Sequence, residues 1–142
     1  MSGSFLTQVR QNLVAIISLV VAVSGFSYNT WRNEQSEENR NIRQAGFEVL
    51  LKLGELQEIV FFSHYDMDKQ RGNPRSGWAY VLLIGDLSEN IPTPVPTDAL
   101  ALRQTWDSEW QGLGSNDESA ENISESIDTL RGAVLQALRQ LD

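Results

Sequence analysis

His64 is the only histidine in the 142-residue chain, and it stands in the run HYDMD with Asp66 and Asp68 close by. An imidazole with two carboxylates could move protons or hold a divalent cation. The spacing does not fit a calcium loop. With Asp66 as its first position, Arg71 falls where the invariant Gly belongs and Gly77 where the bidentate Glu belongs. A zinc site would need ligands from elsewhere, and the chain has no second His and no Cys. The Glu-x-x-His motif of di-iron bundles is missing, because Phe61 stands three residues before His64. Gly-x-Ser-x-Gly, a phosphate-cradling glycine loop and GxGxxG are also absent. The HYDMD run therefore reads as a polar helix terminus. No catalytic, cofactor or metal residue is assigned, and a non-enzymatic protein is expected.

Trp78, Trp106 and Trp110 are the other chemically informative residues. Tryptophan is enriched at binding hot spots, and Trp106 and Trp110 sit one turn apart, so they could line a ligand groove or meet a partner. The same stripe is also the one a helical body would bury, so core packing is the competing use.

Charge divides the chain into two regions. The net charge is −8, yet Arg10 is the only charged residue among the first 31, and all nineteen acids follow Trp31. So acidic a body argues against general nucleic-acid binding, which needs clustered Lys and Arg. With no Cys, disulfides, thiolate metal sites and a cysteine nucleophile are excluded, and no redox compartment can be inferred.

Residues 11–31 are twenty-one consecutive uncharged positions between Arg10 and Arg32. At 1.5 Å per residue they would form a helix roughly 30 Å long, the thickness of a bilayer's hydrocarbon core. Tyr28 and Trp31 follow the apolar run, where an interfacial aromatic belt is expected. A cleaved secretory signal is the rival reading, with Ala22 and Ser24, or Val23 and Gly25, as small residues near a cleavage point. The weakly basic start and the aromatics beyond that point favour a retained anchor. Ala15, Ser18, Ala22 and Gly25 recur at spacings of 3, 4 and 3, a face on which a second spanning helix could approach closely. Arg32, Arg40 and Arg43 would favour a cytoplasmic body, whereas a short tail (residues 1–10) is most simply left in the cytoplasm. The expectation adopted is a body on the extracytoplasmic side.

Beyond the anchor, residues 32–41 form a polar stretch without Pro or Gly, expected to carry the helix outward as a stalk. Residues 42–142 are expected to form an acidic helical domain. Ile42, Gly46, Val49, Leu53, Leu56 and Val60 mark the inner face of its first helix, widened by Leu50, Ile59 and Phe61. Glu48 and Lys52 suit an i, i+4 pair, and the helix should end between His64 and Asp68. Residues 78–84 are apolar throughout and open to helix or strand. Helix is preferred, because a lone strand would leave its ladder unpaired. Residues 90–97, with prolines at 92, 94 and 96, read as an extended polyproline-like link. A third helix is expected from Thr97 or Asp98 to about Gly112, ended by Gly112 and Gly114 in positive φ. Ser115 with Glu118 has the capping-box form. The fourth helix carries the seam Ala120, Ile123, Ile127, Leu130, Val134, Ala137 and Leu141. The fold class is all-α: one N-terminal transmembrane helix continuing into a stalk, and a four-helix up-and-down bundle-like body.

The strings NTWRNEQSEENRNIRQAGFEVL, LQEIV, HYD, RGNP and RSGW, within residues 28–88, resemble small, uncharacterised single-pass membrane proteins of proteobacteria. The resemblance implies a bacterial inner-membrane location and brings no functional residue with it. The expected function is a membrane-anchored accessory or scaffold module with a protein partner or a second copy bound through helix faces. The alternative is a small-molecule sensing domain that signals through a partner.

Overall fold

The computed structural model describes residues 2–141, with side chains from Thr7 onward except those of Val9 and Gln11. All regular structure in the described residues is helical, in the order α1 (Ser2–His64), α2 (Pro74–Ser88), α3 (Val95–Glu109) and α4 (Asp117–Arg139). The chain divides into two compact units, Met1–Glu38 and Asn39–Asp142.

In the first unit, α1 contains an 18-residue window of mean hydropathy 1.8, none of it buried against the rest of the protein. By length and composition this helix is a candidate membrane span. Ser18 donates to the Val14 carbonyl at 2.7 Å and Thr30 to the Phe26 carbonyl at 3.0 Å. Both hydroxyls are thus satisfied within the helix, which is what an apolar solvent requires. Tyr28 and Trp31 lie against each other with ring centroids 6.2 Å apart.

The second unit is a helical bundle built from the carboxyl-terminal part of α1 with α2, α3 and α4. Val49, Leu53, Leu56 and Val60 have no exposed surface, and Ile42, Ala45 and Ile59 are nearly as deep. They meet Val81 and Ile84 of α2, Ala99, Leu102 and Trp106 of α3, and Ile123, Ile127, Leu130 and Val134 of α4 in one apolar cluster. Each fully buried Leu, Ile or Val contributes roughly 1.5–3 kcal/mol relative to exposure. Polar contacts join the outer helices along the cluster: Gln57 Nε2 donates to Ser124 Oγ at 3.1 Å, and Arg43 Nη2 to the Leu141 carbonyl at 2.9 Å.

The structure alters several local expectations. Residues 78–84 are helical, as preferred, but within a longer helix, because Asn73 caps it by accepting the Arg75 N–H and Pro74 suits its first turn. The link read as polyproline-like is a pair of turns over 89–94, and α3 begins at Val95, ahead of Thr97 and Asp98. Ile91 and Val95 are the cause: both are buried in the core and pull the segment inward, while Pro96 lies in a first turn that needs no N–H from it. Asn116, not Ser115, caps α4, accepting the Glu118 N–H at 3.0 Å. Neither Gly112 nor Gly114 has positive φ. Among the described residues Met67 does, at 53°. Gly112 is instead a steric requirement, since a Cβ there would crowd Ser119 Oγ. Lys52 pairs with Glu55 at 2.8 Å rather than with Glu48, and that hydrogen bond raises its pKa from the ordinary value. Phe61 does not widen the core stripe; it is 50% exposed on the outer side of α1.

Candidate functional site

The end of the second unit that holds the α1–α2 loop also holds the turn between α3 and α4, and His64 ties the two together. Its Nδ1 lies 3.2 Å from the Leu113 carbonyl and its Nε2 3.3 Å from Asp117 Oδ1. Tyr65 packs edge-on against the ring at 4.7 Å. The Asp117 side chain is 99% exposed, so this pair sits at the surface and encloses no reacting volume. Asp66 is exposed and Asp68 is turned to its own loop, so the acids next to His64 in sequence are not its partners. Among the described residues no group of three His, Asp or Glu gathers within reach of one metal ion.

Asp68 organises the loop. Its Oδ1 accepts the backbone N–H groups of Arg71 at 3.0 Å and Gln70 at 2.9 Å. Those bonds, Arg71's foremost, hold its carboxyl below the ordinary 3.8. Because the folded value is depressed, this stabilisation is fully present above pH 3.8 and is lost as the pH falls through the lower folded value. In an acid titration followed by NMR, the Gln70 and Arg71 amide signals are expected to move together with a midpoint below 3.8, and Asp68→Asn to abolish the step. A midpoint at or above that value contradicts the assignment. The loop is further pinned by the Arg71 guanidinium, 3.6 Å over the Phe62 ring.

The three tryptophans do not form one face. Trp106 has no exposed surface and belongs to the core, so it cannot touch a partner directly, and its Nε1 finds no acceptor among the described residues. Trp78 is half-buried against the core from α2. Trp110, at the carboxyl end of α3, is half-buried and lines a cavity of about 400 Å3. The wall of that cavity includes Ser63, Lys69, Pro74 and Arg75. The sequence DKQRGNPR gave a compositional signal for this basic rim, but on its own it reads as a turn.

The second feature is an outward stripe on α1. Phe47 (63% exposed), Leu51 (61%) and Phe61 (50%) share one side of the helix, with Gly54 and Glu58 completing the heptad spacing, and Tyr65 (70%), in the turn just past its end, continues the line. Phe61 and Tyr65 lie together, ring centroids 5.8 Å apart. The inner-face periodicity of the same helix hid this stripe, since two apolar faces on opposite sides blur each other. In the first unit Ala15, Ser18, Ala22 and Gly25 are all exposed, and nothing lies within 4 Å of a Cβ built on Gly25. The small-residue face is thus open. Compared with protein-family models, curated proteins and solved structures, the chain matches none.

Proposed function

We propose that this protein is a non-enzymatic, membrane-anchored helical interaction module. It would sit in a bacterial inner membrane with its acidic body on the extracytoplasmic side. The outward stripe of α1 carries the reading. Four large side chains, each half or more exposed, line one side of α1 and the turn just past it, and the other side of the helix already fills the core. Aromatics bury 150–250 Å2 apiece, so the stripe offers on the order of 450 Å2. That is about half of the ~800 Å2 per partner in a standard interface. Confinement of both partners to one membrane raises their effective concentration and offsets the shortfall.

The occupant best suited to the stripe is an amphipathic helix with basic flanks, supplied by another membrane-confined protein. Glu48 and Glu58 stand exposed beside the apolar side chains, and residues 39–142 hold nine Lys and Arg against sixteen Asp and Glu. Such a surface attracts a cationic partner and disfavours a second copy of itself. With a photocrosslinking residue at Leu51 in native membranes, the expected result is an adduct with a different protein, lost on Phe61→Glu. Adducts with a second copy alone, or none at all, would overturn the reading.

A further inference from the structure

The cavity beside Trp110 has features that packing of the bundle does not explain. Its volume of about 400 Å3 lies inside the ~300–1,000 Å3 range of small-molecule sites. Ser63 lines it at 9% exposure, and its hydroxyl has no hydrogen-bond partner among the described residues. A helical serine ordinarily bonds back to the preceding turn, as Ser18 and Ser36 do in this chain. Ser63 Oγ faces Gly114 instead, where an added Cβ would come within 3.5 Å of it. The hydroxyl of a nearly buried residue is therefore presented to the cavity, open to hydrogen bonding by whatever fills it.

The charge around the cavity points to the sign of the ligand. Lys69 and Arg75 both line it, and neither has an ion-pair partner among the described residues despite the acidic surroundings. Asp68 also lines it, with Oδ1 accepting from the two loop amides, so the lining sets two cationic side chains against one carboxylate. The amino terminus of α2 offers no free donor: Pro74 has no N–H, the Arg75 N–H goes to Asn73 Oδ1, and the Ser76 N–H to the Asn73 carbonyl. That helix end therefore adds nothing to anion binding, and the charged side chains of the lining are the groups suited to it. Trp110 and Pro74 provide flat apolar surface next to those cations.

We propose that this cavity binds a small aromatic carboxylate. The ring lies against Trp110 and Pro74, the carboxylate meets the Arg75 fork and Lys69, and Ser63 donates a hydrogen bond to the bound molecule. The site is separate from the docking stripe on α1 and does not depend on it. It gives the sensing alternative a ligand class.

The test uses the full chain in phosphatidylcholine nanodiscs, with 4-fluorobenzoate as probe and fluorine NMR line broadening as readout. Broadening beyond that of empty discs is expected, with affinity about tenfold weaker in Arg75→Gln and Trp110→Leu and a few-fold weaker in Ser63→Ala. Arg75 is exposed and Trp110 half-buried, and thermal melts of the variants verify that they fold. Three results would overturn the proposal. One is equal broadening of neutral 4-fluorobenzyl alcohol, which would reveal a merely greasy crevice. Another is tighter binding of phenyl phosphate, which would make it a phosphate site. The third is no binding of the carboxylate at millimolar concentration.

Discussion

Replacing Trp106 with alanine is expected to cost the body about 3–5 kcal/mol, a large share of the ~5–15 kcal/mol that holds a typical domain together. The residue has no exposed surface and is the largest fully buried side chain of the core. Trp106→Phe should cost much less, because the indole Nε1 has no acceptor to lose. Gly77 sharpens the prediction. A Cβ built there would run into Cζ2 and Cη2 of the Trp106 ring. Those atoms belong to the outer edge of the indole, which a phenyl ring does not reach. Gly77→Ala alone should therefore destabilise by about 1–3 kcal/mol through overpacking. In the Trp106→Phe background the same change should become neutral or favourable, since alanine is the better helix former by about 1 kcal/mol. Urea melts of the four proteins, followed by circular dichroism, measure this coupling. Additive effects would mean that the two residues do not touch.

The second large effect concerns the anchor. A single charged residue at the centre of a spanning helix costs about 2.5–3.5 kcal/mol on insertion scales, so Leu19→Asp with Val20→Arg should cost roughly 5–7 kcal/mol. The parent chain is expected to stay in the membrane pellet through an alkaline carbonate wash. The double variant is expected in the supernatant with an unchanged melting temperature of the body, because positions 19 and 20 belong to the first unit. Mass spectrometry of the retained chain separates anchor from leader: a chain beginning at Gly25 or Phe26 would identify a cleaved signal and remove the tether from the proposed function.

The elements of the fold were legible where one face decides burial. The Ile42–Val60 and Ala120–Val134 stripes predicted the buried positions of α1 and α4 almost residue by residue, because each helix meets the core along a single line. Residues 78–84 were legible as helix only by elimination, since a segment apolar all round carries no periodicity; Leu82 and Leu83, both exposed, are what blurred it. Cap identities were missed for a local reason. Ser115 and Asn116 both accept hydrogen bonds well, and which one caps depends on the backbone path of the preceding turn, set in turn by Leu113 entering the core. The proline link was misread because three prolines suggest extension, whereas the apolar Ile91 and Val95 between and beside them decide the path. At the candidate sites the residues were visible but not their company. His64 meets Leu113 and Asp117, about fifty positions away, and Ser63, Lys69 and Trp110 share a cavity that no local spacing announces.

The long reach of those contacts shapes how the molecule is made. Gln57 waits for Ser124, 67 positions later, and Arg43 for the Leu141 carbonyl, 98 positions later. At a translation rate of ~5–20 residues per second, the inner face of α1 stands incompletely covered for roughly 4–16 seconds before the last helix that seals it has left the ribosome. During that interval the nascent chain shows water a row of Val, Leu and Ile that its finished form hides completely. Shielding by a chaperone at that stage would matter more for the yield of this protein than for the stability of the product.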